Sequence, residues 1–166
     1  KFFCLIASNT TAAETIAASK NKVAPLNVLM VTGGSSHDYD NQKLILTEGI
    51  AARANVEWTI AHQGGKDRNQ KIELFQKANW ADGYDVVVHN QCFGGVVDVP
   101  FVEGIARVHA EGVPAVMIHC TPHSYRNAKT DAWRKGVGVS SFSHEKHRPL
   151  AVKNLATDHP VMQGFP

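Results

Sequence analysis

The sequence predicts a doubly wound α/β domain with a mainly parallel sheet and helices on both faces. Short apolar or β-branched segments alternate along the chain with segments in which apolar residues recur at helical spacing. Such alternation is typical of βαβ units, whose right-handed crossovers place helices on either side of a parallel sheet. A length of 166 residues and an apolar fraction of 43% fit one domain with its own core.

The strand predictions follow from apolar runs that end in glycine or polar residues. A buried parallel strand has both faces covered and therefore reads as a continuous apolar run. The four main strands are predicted over 26–31, 56–61, 85–90 and 114–119. Two weaker strands are predicted over 137–142 and 150–155.

The helix predictions rest on apolar spacing and on the residues at each end. Helices are predicted over 40–54, 69–78 and 100–110. Asp40 is the expected N-cap of the first helix, and Gly112 is the expected stop of the third. Residues 124–133 are expected to form a helix or an ordered loop.

Residues 1–24 are predicted to be a leader, and the folded domain is predicted over 25–166. Lys1 precedes a short apolar run, and small and polar residues follow, as at the end of a secretory signal peptide. A disordered or artificial leader is the alternative. A signal peptide would indicate a secreted or periplasmic protein, whereas a disordered or artificial leader would indicate a cytoplasmic one.

Charge and composition argue against several classes of protein. The formal charge is only +2 with no long basic run, so we expect no nucleic-acid partner. No apolar run reaches the length of a membrane-spanning helix. The three cysteines, Cys4, Cys92 and Cys120, match no zinc-ribbon spacing, and their odd number argues against a disulfide framework.

Histidine is frequent, with nine residues in the chain, and its placement predicts a functional site. Ligands of open α/β sheets bind at the carboxyl ends of the strands. Four separate segments bring histidines to that edge, whereas only His109 clearly falls on a helix surface. The histidines expected at the edge are His37, His89, His119, His123, His144 and His147.

We expect His37, His119 and His123 to be catalytic, as acid–base groups or as metal ligands. These three and His144 are candidate ligands of a zinc-like divalent metal, because imidazole is a common zinc ligand. No HExxH motif is present to favour the metal, and acid–base chemistry needs fewer geometric constraints. Both interpretations therefore stay open.

Substrate contacts are expected from polar and aromatic residues that follow the strands. A guanidinium can clamp an oxyanion, and an aromatic face can stack on a sugar ring. The expected substrate-binding residues are Asp38, Tyr39, Asn90, Tyr125, Arg126 and His144. Cys120 is disfavoured as a nucleophile, because Pro122 lacks the N–H that an oxyanion hole needs.

An ordered set of segments resembles the ThuA-like (trehalose utilisation) family. The first strand with His37-Asp38-Tyr39 resembles the family's opening strand and loop, and the fourth strand with His119 resembles its central segment. The resemblance runs from about Leu26 to Pro166. The further similar segments are 84–88, 123–126, 133–138, His144 and 158–161.

The resemblance implies a flavodoxin-like fold of the class I glutamine amidotransferase-like superfamily. It also implies a role in the metabolism of trehalose and related disaccharides, often beside a sugar oxidoreductase that acts through 3-keto sugars. His119 stands where amidotransferases have their nucleophilic cysteine, and Cys120 falls one residue late, so glutamine hydrolysis is disfavoured. The family domain normally continues past the His159-Pro160 segment, and we therefore expect a C-terminal truncation.

Three functions remain open from the sequence. The favoured one is an enzyme that acts on a trehalose-like disaccharide or its 3-keto derivative through the histidine-rich site. The second is a sugar-binding module without catalysis that uses the same site. The third, disfavoured, is an amidotransferase-like hydrolase that uses Cys120.

Overall fold

A computed structural model describes residues 23–164 and confirms the α/β prediction with a parallel sheet. The predicted leader lies almost entirely outside the described residues. Four strands pair in the order β2-β1-β3-β4, and every pairing is parallel. This order matches the first four strands of a flavodoxin-like sheet. The strands are β1 (Leu26–Gly34), β2 (Val56–His62), β3 (Val86–Cys92) and β4 (Ala115–Met117).

Three α-helices accompany the sheet: α1 (Tyr39–Ala51), α2 (Val99–Ala110) and α3 (Ala132–Val137). The cap of α1 is Asp38 and not Asp40, since Asp38 Oδ1 accepts from the backbone N–H of Asn41 at 3.1 Å. Asp40 lies two residues after the cap, in the first turn of α1, where it pairs with Lys43. Asp98 caps α2 in the same way.

The central strands are covered on both faces, as the doubly wound prediction requires. Val28 and Met30 of β1 belong to a cluster that includes Leu46 of α1. Leu29 of β1 belongs to the opposite cluster, which includes Ile105 of α2. Because strand side chains alternate between faces, one continuous apolar run supplies both clusters. Trp133 is buried in the α2-side cluster and is therefore a core residue.

Three predicted elements do not form as a helix or a strand, and the strand predicted over 114–119 is shortened to β4. The predicted helix 69–78 is only a 3₁₀ turn, Glu73–Gln76, which still buries Phe75. The predicted strands 137–142 and 150–155 do not form, although both segments belong to the described chain. Val137 ends α3 and packs against the core, but the later large apolar side chains of both segments are exposed. Neither segment pairs with a strand of the sheet, and an extended segment needs such a partner to be a strand.

β1 ends in two glycines that approach neighbouring backbone more closely than any other residue permits. Gly33 and Gly34 have φ values of 137° and 132°, which side chains with a Cβ rarely adopt. A Cβ on Gly33 would lie 2.1 Å from the carbonyl oxygen of Gln63, and one on Gly34 would lie 2.6 Å from that of Cys92. The two glycines thereby start the loop that carries His37.

Replacing Gly34 by alanine is expected to lower the free energy of unfolding by more than about 2 kcal/mol, because strained backbone alone costs ~1–3 kcal/mol. The matched control is Gly104→Ala in α2, where no atom lies within 4 Å of the new Cβ. There the same substitution should stabilise by up to about 1 kcal/mol. Urea unfolding of both variants measures the two effects. Equal stabilities would contradict the close approach at Gly34.

Candidate functional site

Loops from β1 and β4 and residues 141–150 surround a crevice at the carboxyl edge of the sheet. It consists of two adjoining cavities of about 470 and 500 Å³, a size typical of ligand sites. Both cavities are lined by the same four imidazoles, and we call their union the histidine crevice. The shared residues are His37, His123, His144 and His147.

Two imidazoles and a thiol converge at the base of the crevice. His37 Nε2 lies 2.8 Å from Cys120 Sγ, and the rings of His37 and His119 lie edge to face with centroids 4.8 Å apart. One nitrogen of each histidine and the sulfur all lie within 4.8 Å of one another. We call His37, His119 and Cys120 the ligand cluster, because neutral imidazole and thiolate are the groups that bind zinc.

The backbone at His119 has a conformation that is rare for a residue with a side chain. Its φ is 41°, in the left-handed region that costs a non-glycine residue free energy and is found most often at functional sites. Just before it, the N–H of Ile118 donates to the carbonyl of His89 at 2.9 Å. The reversal at His119 ends β4 and directs the chain back across β3, where Cys120 meets His37.

The local environment favours the uncharged forms of Cys120 and His37. Burial, followed by the neighbouring Cys92, raises the pKa of the Cys120 thiol to about 12, although Arg126 opposes the shift. Burial, followed by His119 and His144, lowers the pKa of His37. Near neutral pH the cluster therefore offers a neutral imidazole, ready to bind a metal, and a thiol that a metal would have to deprotonate.

His123 and His144 form an outer pair at the mouth of the crevice. Their ring centroids lie 5.6 Å apart, and His147 continues the row at 6.2 Å from His144. His123 Nδ1 is 3.0 Å from the hydroxyl of Ser141, a contact that orients the ring. The outer pair lies outside the group whose ligand atoms are within 4.8 Å of one another. Its position suits proton transfer to a bound molecule better than metal binding.

The predicted substrate-binding residues divide between the crevice and the core. Arg126 and His144 line the crevice. Tyr39 is buried with its ring edge-on to His37 at 5.9 Å, so it supports the imidazole from behind. Asp38 is occupied as the cap of α1 and orients no histidine.

Asn90 and Tyr125 do not line the crevice. The Asn90 side-chain amide is buried and donates to Thr32 and Gln42. Tyr125 is 2% exposed and packs edge-on against Trp133, with centroids 5.1 Å apart. Both side chains therefore take part in packing.

Arg68 lines the crevice, and the sequence analysis did not identify it. It lies in the loop after β2, and its carbonyl accepts from the N–H of Gly95 at 2.8 Å. A Cβ on Gly95 would lie 2.4 Å from Asn69 Oδ1 and 3.0 Å from the carbonyl oxygen of Arg68, so glycine lets the two segments pack closely. The Gly94-Gly95 pair that follows β3 was the available signal that another loop passes close by.

His89 and His109 form a separate pair inside the core. His109 Nδ1 donates to the carbonyl of Val113 at 2.9 Å, which leaves its Nε2 as an acceptor for the Nε2–H of His89 at 2.8 Å. His89 Nδ1 then accepts from the amide of Gln91 at 2.9 Å. His109 is thus not a plain surface residue of its helix, and this order of donors requires both rings to be neutral.

A scan against protein-family models found no match, and searches of curated proteins and of solved structures found none either. None of the helices in the described part of the chain is long and apolar enough to cross a membrane. The fold and the site thus define a class, an α/β protein with a flavodoxin-like parallel sheet and a histidine–cysteine cluster at its carboxyl edge. The ThuA-like resemblance stays a prediction.

Acidification is expected to destabilise the fold through the His89–His109 pair. Burial, followed by His109, lowers the pKa of His89 from 6.5 to about 3, and burial lowers that of His109. The unfolded chain therefore binds protons that the folded chain rejects. The stabilisation is complete above about pH 6.5 and is lost as the pH falls toward 3, at about 1.4 kcal/mol per pH unit and proton.

The measurement is the free energy of unfolding by urea at a series of pH values between 7.5 and 4.5. The double variant His89→Gln/His109→Gln keeps polar groups but cannot titrate, and its stability should fall less steeply below pH 6.5. The control His159→Gln removes an exposed histidine and should follow the original chain. Equal acid slopes for all three proteins would refute this role of the pair.

Proposed function

We propose that this chain is a ThuA-like enzyme of carbohydrate metabolism that acts on a trehalose-like disaccharide or its 3-keto derivative in the histidine crevice. A zinc-like divalent metal held by His37, His119 and Cys120 would be its cofactor. The observation that carries the proposal is the convergence of these three side chains from two distant segments of the chain. Substrate class and pathway are taken from the family resemblance.

The ligand cluster fits a tetrahedral metal after a small adjustment. Zinc–nitrogen bonds of ~2.1 Å and zinc–sulfur bonds of ~2.3 Å place two ligand atoms about 3.5 Å apart. The 2.8 Å between His37 Nε2 and Cys120 Sγ would have to widen to that value. Three protein ligands leave a fourth position for substrate or water, as in catalytic zinc sites. The geometry favours Cys120 as third ligand over His123 and His144.

A metal held by His37, His119 and Cys120 would supply Lewis-acid chemistry at a carbonyl, such as the keto group of a 3-keto sugar, or at a water molecule. The chain itself supplies proton transfer. His123 and His144 stand at the mouth of the same crevice, where an imidazole can accept or return a proton at a sugar hydroxyl. Arg126 lines the 500 Å³ cavity, which we call the inner cavity because Cys120 lines it, and can hold a substrate oxygen there. A sugar oxidoreductase would supply the 3-keto substrate.

The geometry argues against a cysteine hydrolase in spite of the contact between His37 and Cys120. An activated nucleophile needs a thiolate, which depends on a lowered pKa and access to the substrate. Here the thiol is buried and its pKa is raised to about 12. The alternative function, a sugar-binding module without catalysis, would use the same crevice. The turnover experiment below distinguishes it from an enzyme.

Metal binding provides the first test. Protein equilibrated with Zn²⁺ and freed of excess metal should retain one equivalent, measured by elemental analysis. Cys120→Ser and His119→Ala should each weaken binding by more than about tenfold, because even partners outside the coordination sphere cost ~10–100-fold. His159→Ala, which changes an exposed histidine, is the control. Retention of the metal by Cys120→Ser would exclude the ligand cluster.

Turnover provides the second test, with trehalose and 3-ketotrehalose as substrates and product analysis as the readout. His119→Ala should abolish turnover while circular dichroism stays unchanged, and a chelator should abolish it reversibly. Sugar binding without product under every metal supplement would identify a binding module. Rapid inactivation by a thiol alkylator with no effect of the chelator would identify a cysteine hydrolase.

A further inference from the structure

The lining of the histidine crevice is strongly cationic. Four lysine or arginine side chains line its two cavities, against one carboxylate. That carboxylate, Glu145, is paired with Arg148 at 2.8 Å and so neutralises one of the four. The remaining cations are Arg68, Arg126 and Lys146.

Both arginines of the inner cavity lack a carboxylate partner. Within residues 23–164, no carboxylate oxygen lies within 4.0 Å of the guanidinium of Arg68 or Arg126. Arg126 donates one N–H to the carbonyl of Phe142, which leaves most of its five donors available. A guanidinium in a cleft without a partner is suited to bidentate binding of a carboxylate or a phosphate.

The glycine pair after β3 places the two arginines beside the same cavity. A Cβ on Gly94 would lie 3.1 Å from Arg126 Nε, so the bare backbone makes room for the guanidinium. The neighbouring Gly95 holds the backbone of Arg68 through its N–H. Arg68 and Arg126 therefore come from separate loops that both contact this glycine pair, and both line the 500 Å³ cavity.

Neutral hydrogen-bond donors complete the inner cavity. The hydroxyls of Ser35, Ser36 and Ser143 line it together with the two arginines. Cys120 of the ligand cluster lines the same cavity. A molecule with an anionic end and a sugar ring would therefore place its charge on the arginines and its ring against the cluster.

We propose that the substrate is an anionic sugar, whose carboxylate or phosphate binds to Arg68 and Arg126. This inference rests on the proposed function and narrows its substrate class to trehalose-like disaccharides, or their 3-keto derivatives, that carry a carboxylate or a phosphate group. The carboxylate and the phosphate share the same recognition chemistry, and the experiment distinguishes them.

The experiment measures binding to the zinc-equilibrated protein by titration calorimetry. Its probes are methyl glucuronide, glucose 6-phosphate and neutral methyl glucoside. Either anionic probe, or both, should bind about 10- to 100-fold more tightly than the neutral one, the range of a charge-assisted hydrogen bond. Which of the two binds more tightly identifies the anion. The preference should weaken as salt rises from 50 to 500 mM.

Arg68→Gln and Arg126→Gln should each weaken the binding of the anionic probes more than the binding of methyl glucoside. The matched control is Arg53→Gln, an exposed arginine after α1 that donates to the carbonyl of Gly49 away from the crevice. Arg68 is exposed, so its variant is expected to fold even if Arg126→Gln does not. Equal binding of all three probes, or equal losses in Arg53→Gln and Arg68→Gln, would overturn the inference.

The outcome separates this inference from the proposed function. Metal-dependent turnover of trehalose that Arg68→Gln leaves unchanged would overturn the anionic substrate and keep the enzyme. Selective anion binding without metal retention or turnover would keep the arginine site and overturn the enzyme. Loss of both would overturn both.

Discussion

The site depends on a buried set of hydrogen bonds between the end of β3 and the segment after β4. The hydroxyl of Thr121 donates to the carbonyl of His89 at 2.8 Å, and that of Ser124 donates to the carbonyl of Gln91 at 2.9 Å. Thr121 and Ser124 are at most 1% exposed, so water cannot replace a hydrogen bond that either hydroxyl loses. The carbonyl of Thr121 in turn accepts from the indole of Trp133 at 3.2 Å. These bonds hold the chain that carries His119 and Cys120.

The same constraint explains why β4 is short. A strand that continued along β3 would keep its side chains alternating between the two faces of the sheet. The chain instead turns at His119 and enters the 3₁₀ turn Thr121–His123, so that side-chain hydroxyls replace backbone N–H groups at the end of β3. Because His37 enters from the far side of β3, through the close approach of Gly34 to Cys92, the two loops meet above that strand.

The fold was largely predictable from the sequence because its central elements are the most buried. β1 and β3 are covered on both faces and therefore read as uninterrupted apolar runs, and α2 shows its helical period because one side packs on the sheet. The prediction of a helix over 69–78 was wrong because a 3₁₀ turn is enough to bury its few inward apolar side chains, such as Phe75. Exposed apolar runs after residue 137 resembled strands, but strand formation depends on a partner that local sequence does not reveal.

The site was predictable in part, and the reason is geometric. Parallel strands end at one edge, so the positions of His37, His119 and His123 after strands were enough to predict a shared crevice. His37 contacts Cys120 because the left-handed backbone at His119 turns the chain toward it. No local sequence pattern predicts that backbone conformation. The position of Arg68 in the crevice depends on the packing of its loop on Gly95, a contact between distant parts of the chain that the sequence does not reveal.

The base and the walls of the histidine crevice favour bound groups of opposite charge. At its base, a buried thiol with a raised pKa can ionise only if a cation compensates the charge. Around it, guanidinium and imidazole groups stand close together with little negative charge to balance them. A metal alone would satisfy the thiol but add to the positive charge, and an anion alone would do the reverse. A metal at the base together with an anionic molecule on the arginines would meet both charge requirements, which is why the two proposals support each other.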